Sequence, residues 1–194
     1  MSDTLISHQG TARYWSSYFD EEERSVYFKA LMQEIAWEEG EIMLFGQRRK
    51  IPRLQAWHGN AGLSYTYSGV RLDPSSWTPT LTKIRKRVEA ASETQYNSVL
   101  LNLYRDGQDS MGWHADDEAE LGDNPTIASV SFGGERMFHL RHASRERETV
   151  RISLGDGSLL IMSGSLQHHW QHQIPKTRKL VAPRINLTFR KILA

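Results

Sequence analysis

The chain has 194 residues, with 24 Lys plus Arg against 23 Asp plus Glu, and no cysteine. That length favours one domain whose core needs no staple; the lack of cysteine excludes disulfides and thiolate metal sites; a net charge of +1 lends nucleic-acid binding no support from composition alone. There is no apolar run of the roughly 18 residues a membrane helix needs, and the opening MSDTLISHQGTARYW lacks the basic start and apolar core of a secretory signal, so no membrane association and no secretion are expected.

Residues 1–20 carry no clear pattern and are read as an N-terminal extension. Residues 21–96 hold two helices. The first follows Asp20, with Glu23 three residues on as a capping-box partner, and Tyr27, Leu31 and Ile35, joined by Phe28 and Met32, recur at helical spacing. The second starts near Thr78-Pro79, where proline suits a first turn, and carries Leu81, Ile84, Val88 and Ala91 as its apolar stripe. Basic residues cluster at Arg48-Arg49-Lys50 with Arg53, in Lys83–Arg87, in Arg141–Arg151 and in Lys176–Lys179, while acids gather elsewhere. Such runs read first as solvated faces.

From residue 97 the pattern turns to strands. SVLLNLYR, TIASVSF, RMFHLRH, TVRISL, SLLIMSG and RINLTFRKI are short and β-branched or aromatic, and glycines punctuate them. Many short strands with tight turns imply an antiparallel barrel or a two-sheet roll. The expected class is therefore α+β, mainly β: one domain over 1–194, with the β core in 97–194.

Chemistry enters at MGWHADDE, Met111–Glu118. On an extended segment His114 and Asp116, two apart, point to one side and could face one ion. A third ligand would come from His168, His169 or His172, and two imidazoles with one carboxylate leave open positions on a metal. An H-x-D pair is common, and alone it reads as a surface or capping feature. His139 and His142 lack a nearby carboxylate and read as bystanders.

The last strand is more telling. Ile185, Leu187 and Phe189 make one face; Arg184, Asn186, Thr188 and Arg190 make the other. Either that polar face meets water at a sheet edge or it lines a cavity. In a cavity, two guanidiniums would grip carboxylates. Asn102 and Tyr104 repeat the theme, sharing a face opposite Leu101 and Leu103.

In order, Asn102-Leu103-Tyr104, His114-x-Asp116, His172-x-x-Pro175 and Arg184-x-Asn186-x-Thr188-x-Arg190 resemble the AlkB family of Fe(II)/2-oxoglutarate-dependent nucleic-acid dealkylating dioxygenases. PRLQAWHGNAGLSYTYSG, 52–69, is similar to the substrate-side region of the duplex-DNA repair members. Each motif is common; the ordered set is specific and spans most of the chain, leaving the first twenty residues without a counterpart.

The resemblance implies a double-stranded β-helix, or jelly roll, with two supporting helices near the N-terminal half. It implies Fe(II) at His114, Asp116 and His172, the last chosen by position, and 2-oxoglutarate at Asn102, Tyr104, Arg184, Thr188 and Arg190, with O2 as oxidant. It places Tyr65, Tyr67 and Asp117 near a damaged base, with Arg53 on the substrate side and Phe45 as a wedge for a flipped one. Ala115 departs from the larger polar residue relatives often carry, so no substrate contact is assigned there. The implied reaction demethylates 1-methyladenine or 3-methylcytosine in DNA, releasing formaldehyde as 2-oxoglutarate becomes succinate and CO2. A monomer in the cytoplasm, or in the nucleus of a eukaryote, is expected. The alternatives are the same chemistry on RNA or another methylated substrate, a zinc hydrolase, or a binding roll without catalysis.

Overall fold

The computed structural model describes the backbone of residues 1–44, 47–63, 65–67, 70–145 and 148–193, and the side chains of 1–41, 47–63, 73–145 and 148–193. Phe45 and the side chains of Tyr65 and Tyr67 lie outside the described residues.

Both expected helices form where their caps sit. Helix α1, Glu21–Glu34, opens on a reciprocal capping box: Glu23 N–H donates to Asp20 Oδ1 at 2.9 Å and Asp20 N–H to Glu23 Oε2 at 3.2 Å. Helix α2, Pro79–Ser92, is capped by the Thr78 hydroxyl, which accepts from Leu81 N–H.

The strands build two antiparallel sheets. The larger has eight strands: β1 (Asp3–Ile6), β2 (Thr11–Trp15), β12 (Ser158–Ser163), β9 (Ile127–Gly133), β14 (Arg184–Arg190), β7 (Ser98–Tyr104), β4 (Gln47–Gly59) and β3 (Glu38–Leu44), in that order. The smaller runs β11 (Thr149–Leu154), β10 (Arg136–His142), β13 (Trp170–Ile174) and β8 (Met111–His114). A separate ribbon pairs β5 (Tyr65–Tyr67) with β6 (Val70–Leu72). These packed sheets are the jelly roll, with α1 and α2 as its two supports. The first twenty residues are part of it rather than an appendage, because β2 pairs with β12 along its length.

Alternation along each strand divides the interior in two. Val99, Leu101, Leu103, Ile185, Leu187 and Phe189 face α1 and α2 and pack with Leu31, Leu81, Ile84 and Val88. The opposite faces look into the roll, where Tyr104, Leu160 and Met162 meet Phe138, Leu140 and Leu154 of the small sheet. Strand β14 lies between β9 and β7, so its polar face is enclosed and does not meet water at an edge.

Candidate active site

The inner faces of β7, β8, β13 and β14 converge on one cavity of about 520 Å³, including its open mouth. Its walls include Asn102, Tyr104, His114, Asp116, His172, Arg184, Asn186, Thr188 and Arg190, together with Arg53. Strands β8 and β13 are paired so that His114 and His172 stand opposite each other, with ring centroids 4.1 Å apart. Strand β8 ends at His114, and Asp116 hangs just beyond it. One donor atom from each of the three residues lies within 4.8 Å of the others.

Local bonds hold these groups. His114 Nδ1 lies 2.9 Å from Gly112 O, which makes Nδ1 the protonated nitrogen and leaves the lone pair of Nε2, 3.8 Å from Asp116 Oδ1, able to face an ion. Asp116 N–H donates to Gln167 Oε1 at 3.0 Å, and Arg190 Nη2 donates to Asp116 Oδ1 at 2.9 Å. Burial would raise the Asp116 carboxyl, but Arg190, then His172 and His114, outweigh it and hold it at about 2. For His172, burial and the neighbouring His114 push the imidazole down to about 3, against the pull of Asp116. The trio therefore stands deprotonated at neutral pH at both its buried members. Its chemistry, two imidazoles and a carboxylate, with His172 Nδ1 unpartnered among the described residues, fits a divalent ion of the iron type.

Above this trio lies the cationic wall. Arg184 is 1% exposed. Its Nη2 donates to Ser131 Oγ at 2.9 Å, but Nε and Nη1 have no hydrogen-bond partner among the described residues. Burial pulls its guanidinium down to about 10; Tyr104 opposes this and Arg136 reinforces it. An unpaired buried cation is costly until an anion reaches it, so the wall fits a carboxylate ligand. Arg190, expected beside Arg184 as a second clamp, is already engaged with Asp116 through Nη2, and its buried Nε has no hydrogen-bond partner among the described residues. Thr188 Oγ1 donates to Asn186 Oδ1 at 3.1 Å, and Asn186 Nδ2 reaches Ser129 Oγ and Val130 O. Thr188 therefore supports the wall as well as lining it.

On the substrate side only part of the expected set gathers. Arg53 is buried in the cavity wall, with Nε on Asn102 Oδ1 at 2.7 Å and Nη1 on Ser110 O at 3.0 Å. Asp117 is exposed and is not among the lining residues. His139 and His142 lie apart, beside Gln173 and Gln9. Two supporting side chains were not legible beforehand: Gln167, in the four-residue turn α3 (Leu166–His169), and Gln55, on Asn102. Gln167 stands in no motif and Gln55 is singled out by nothing within the 52–69 stretch, and only the pairing of distant strands reveals their targets.

Residues 11–190 match the 2OG-Fe(II) oxygenase superfamily. The chain is 44% identical to the DNA oxidative demethylase ALKBH2 of Bos taurus, over 97% of this chain and 71% of that one. It is 37% identical to the alpha-ketoglutarate-dependent dioxygenase alkB homolog 3 of Homo sapiens, over 96% and 68%. The solved structure of OsALKBH1 superimposes with a TM-score of 0.67 at 16% identity, covering 97% of this chain and 100% of that one, which shows the shared fold.

Proposed function

The chain belongs to the 2OG-Fe(II) oxygenase superfamily and, within it, to the AlkB family, and on that premise we propose that it demethylates N-alkylated bases of DNA, of the 1-methyladenine and 3-methylcytosine type. The DNA substrate rests on the relatives named DNA oxidative demethylase, 44% to 34% identical over nearly the whole chain. The chemistry rests on one observation: His114, Asp116 and His172 share a cavity with the buried, unpaired Arg184.

When bound, iron with 2-oxoglutarate and O2 supplies the oxidant, splitting the 2-oxo acid to succinate and CO2 and placing one oxygen atom in an N-methyl C–H bond. His114, Asp116 and His172 would hold the ion. Arg184 receives the far carboxylate of the co-substrate, with Asn102 and Tyr104 offering hydrogen bonds beside it. Arg190 keeps Asp116 ionised by pairing with it, and so serves the metal directly and the co-substrate through Nε. The hydroxymethylated base then expels formaldehyde; its positive charge makes the ring nitrogen a good leaving group. Tyr65, Tyr67, Asp117 and Phe45 are proposed for the base side, where aromatic stacking contributes about 1–3 kcal/mol per base. A zinc hydrolase would make no use of Arg184. The working form in this reading is a monomer, in the cytoplasm or, in a eukaryote, in the nucleus with its substrate; no described helix is long and apolar enough to cross a membrane.

The test is release of labelled CO2 from 2-oxoglutarate, with formaldehyde measured alongside, on oligonucleotides carrying 1-methyladenine. Single-stranded DNA, duplex DNA and RNA form separate arms. We expect both products to rise with methylated DNA and to vanish in Asp116→Ala. Near-normal succinate from that variant removes the ligand assignment, and formaldehyde from the RNA arm alone removes the DNA substrate.

A further inference from the structure

The Asn102 amide must present its NH2, not its oxygen, to a carboxylate, and nothing in its own shape decides that. An amide's two ends are nearly the same size, so the surrounding hydrogen bonds choose between them. Asn102 Oδ1 accepts two donors from β4: Arg53 Nε at 2.7 Å and Gln55 Nε2 at 2.9 Å. Gln55 stands directly opposite Asn102 in the β4–β7 register, and Arg53 is two residues away on the same face.

Gln55 by itself could not set the orientation. It is an amide too, and a pair of facing amides is satisfied with both turned over. Arg53 breaks that symmetry because a guanidinium only donates. It is also immobile: it is 6% exposed and its Nη1 is tied to Ser110 O at 3.0 Å. Turning Asn102 over would set its NH2 against the Arg53 Nε–H and lose that bond even if Gln55 turned with it. The NH2 is thus the end left for the cavity that Asn102 and Arg184 line.

We propose that Arg53 and Gln55 are positioning residues that fix the polarity of the Asn102 amide and so commit its NH2 to the carboxylate of 2-oxoglutarate. The inference rests on the co-substrate reading above. It gives Arg53 a place in co-substrate binding in addition to the substrate side, and it brings in Gln55, which the likeness of residues 52–69 does not by itself single out.

The test is calorimetric titration of 2-oxoglutarate, without O2, into the chain loaded with Mn(II), so that affinity is read without turnover. Gln55→Met keeps the side-chain length and removes the donor. It should weaken binding by about 3- to 10-fold, the worth of one hydrogen bond, and Arg53→Met by at least as much. In an Asn102→Ala background, Gln55→Met should have no further effect, and Arg53→Met should keep only what its lost charge contributes. Equal fold-changes in both backgrounds, or none in either, overturn the inference. Should the β4 variants fail to fold, Asn102→Asp serves instead, since it still accepts from both donors but has no NH2; unweakened binding by Asn102→Asp overturns the inference as well. Failure of the unaltered chain to take up 2-oxoglutarate removes the co-substrate reading itself, whereas binding without the coupling removes only this inference.

Discussion

Arg184 bears a burial cost that its contacts with Ser131 and Tyr104 only partly offset. Its guanidinium is buried with two nitrogens unpartnered among the described residues, while Nη2 donates to the Ser131 hydroxyl. Replacing such a cation by an apolar side chain of similar size is often neutral or stabilising by about 1–4 kcal/mol. Arg184→Met should therefore hold or raise the melting temperature of the metal-free chain while abolishing the thermal shift that 2-oxoglutarate gives the unaltered chain. A marked fall in melting temperature would mean that the guanidinium is a structural group. His172 makes a second prediction, on pH. Its folded value, about 3, lies below the usual histidine value of about 6.5. An unfolded chain thus takes up a proton there that the folded chain refuses. The stability this confers is full above about 6.5 and is lost as pH falls toward 3. The unfolding free energy of the metal-free chain, from denaturant melts across that window, should fall as pH falls, and His172→Gln should remove part of that dependence; an unchanged dependence would contradict the assignment.

At the scale of elements, the helices serve the site from behind. Helix α1 packs against β9, and α2 supplies Leu81, Ile84 and Val88 to the core beneath β7 and β14. The apolar faces of those two strands are held there, which forces Asn102, Tyr104, Arg184 and Arg190 into the roll. The capping box of α1 is a contained test of this division. Asp20→Ala should cost about 1 kcal/mol, or about 2–4 °C in melting temperature for a chain of this size, because Glu23 N–H loses its acceptor. The affinity for 2-oxoglutarate should stay unchanged, since the large sheet's inner face does not depend on that turn. A matching loss of affinity would show that α1 is coupled to the site. Strand β14 makes the same point from the other side. An edge position would expose its arginines, and only the pairing with β7 and β9 turns the alternation into a cavity wall.

The molecule as a whole brings together groups that no local rule connects. Asp116 and Arg190 are 74 residues apart, Asp116 and Gln167 are 51 apart, and Arg53 and Asn102 are 49 apart. The amino-acid sequence by itself determined the helix starts, through Asp20 and Thr78, and six of the eight strands from Ser98 onward, with the apolar side of β7 and of β14, but not β8 or β13. Those features follow from capping and from the two-residue period of a pleated strand, both of which act over a few positions. It also determined the ligand types, and its ordered motifs pointed to His172 rather than His168 or His169. Tertiary structure alone decided the rest. It made residues 1–20 into sheet strands, because β2 finds its partner in β12 far along the chain. It drew Arg190 onto Asp116 and left Arg184 unpaired, because strand order sets which cation meets which carboxylate. It gave Gln167 and Gln55 their targets. Hydrogen bonds between groups so far apart in sequence depend on register and sheet order, which emerge only when the whole chain has packed.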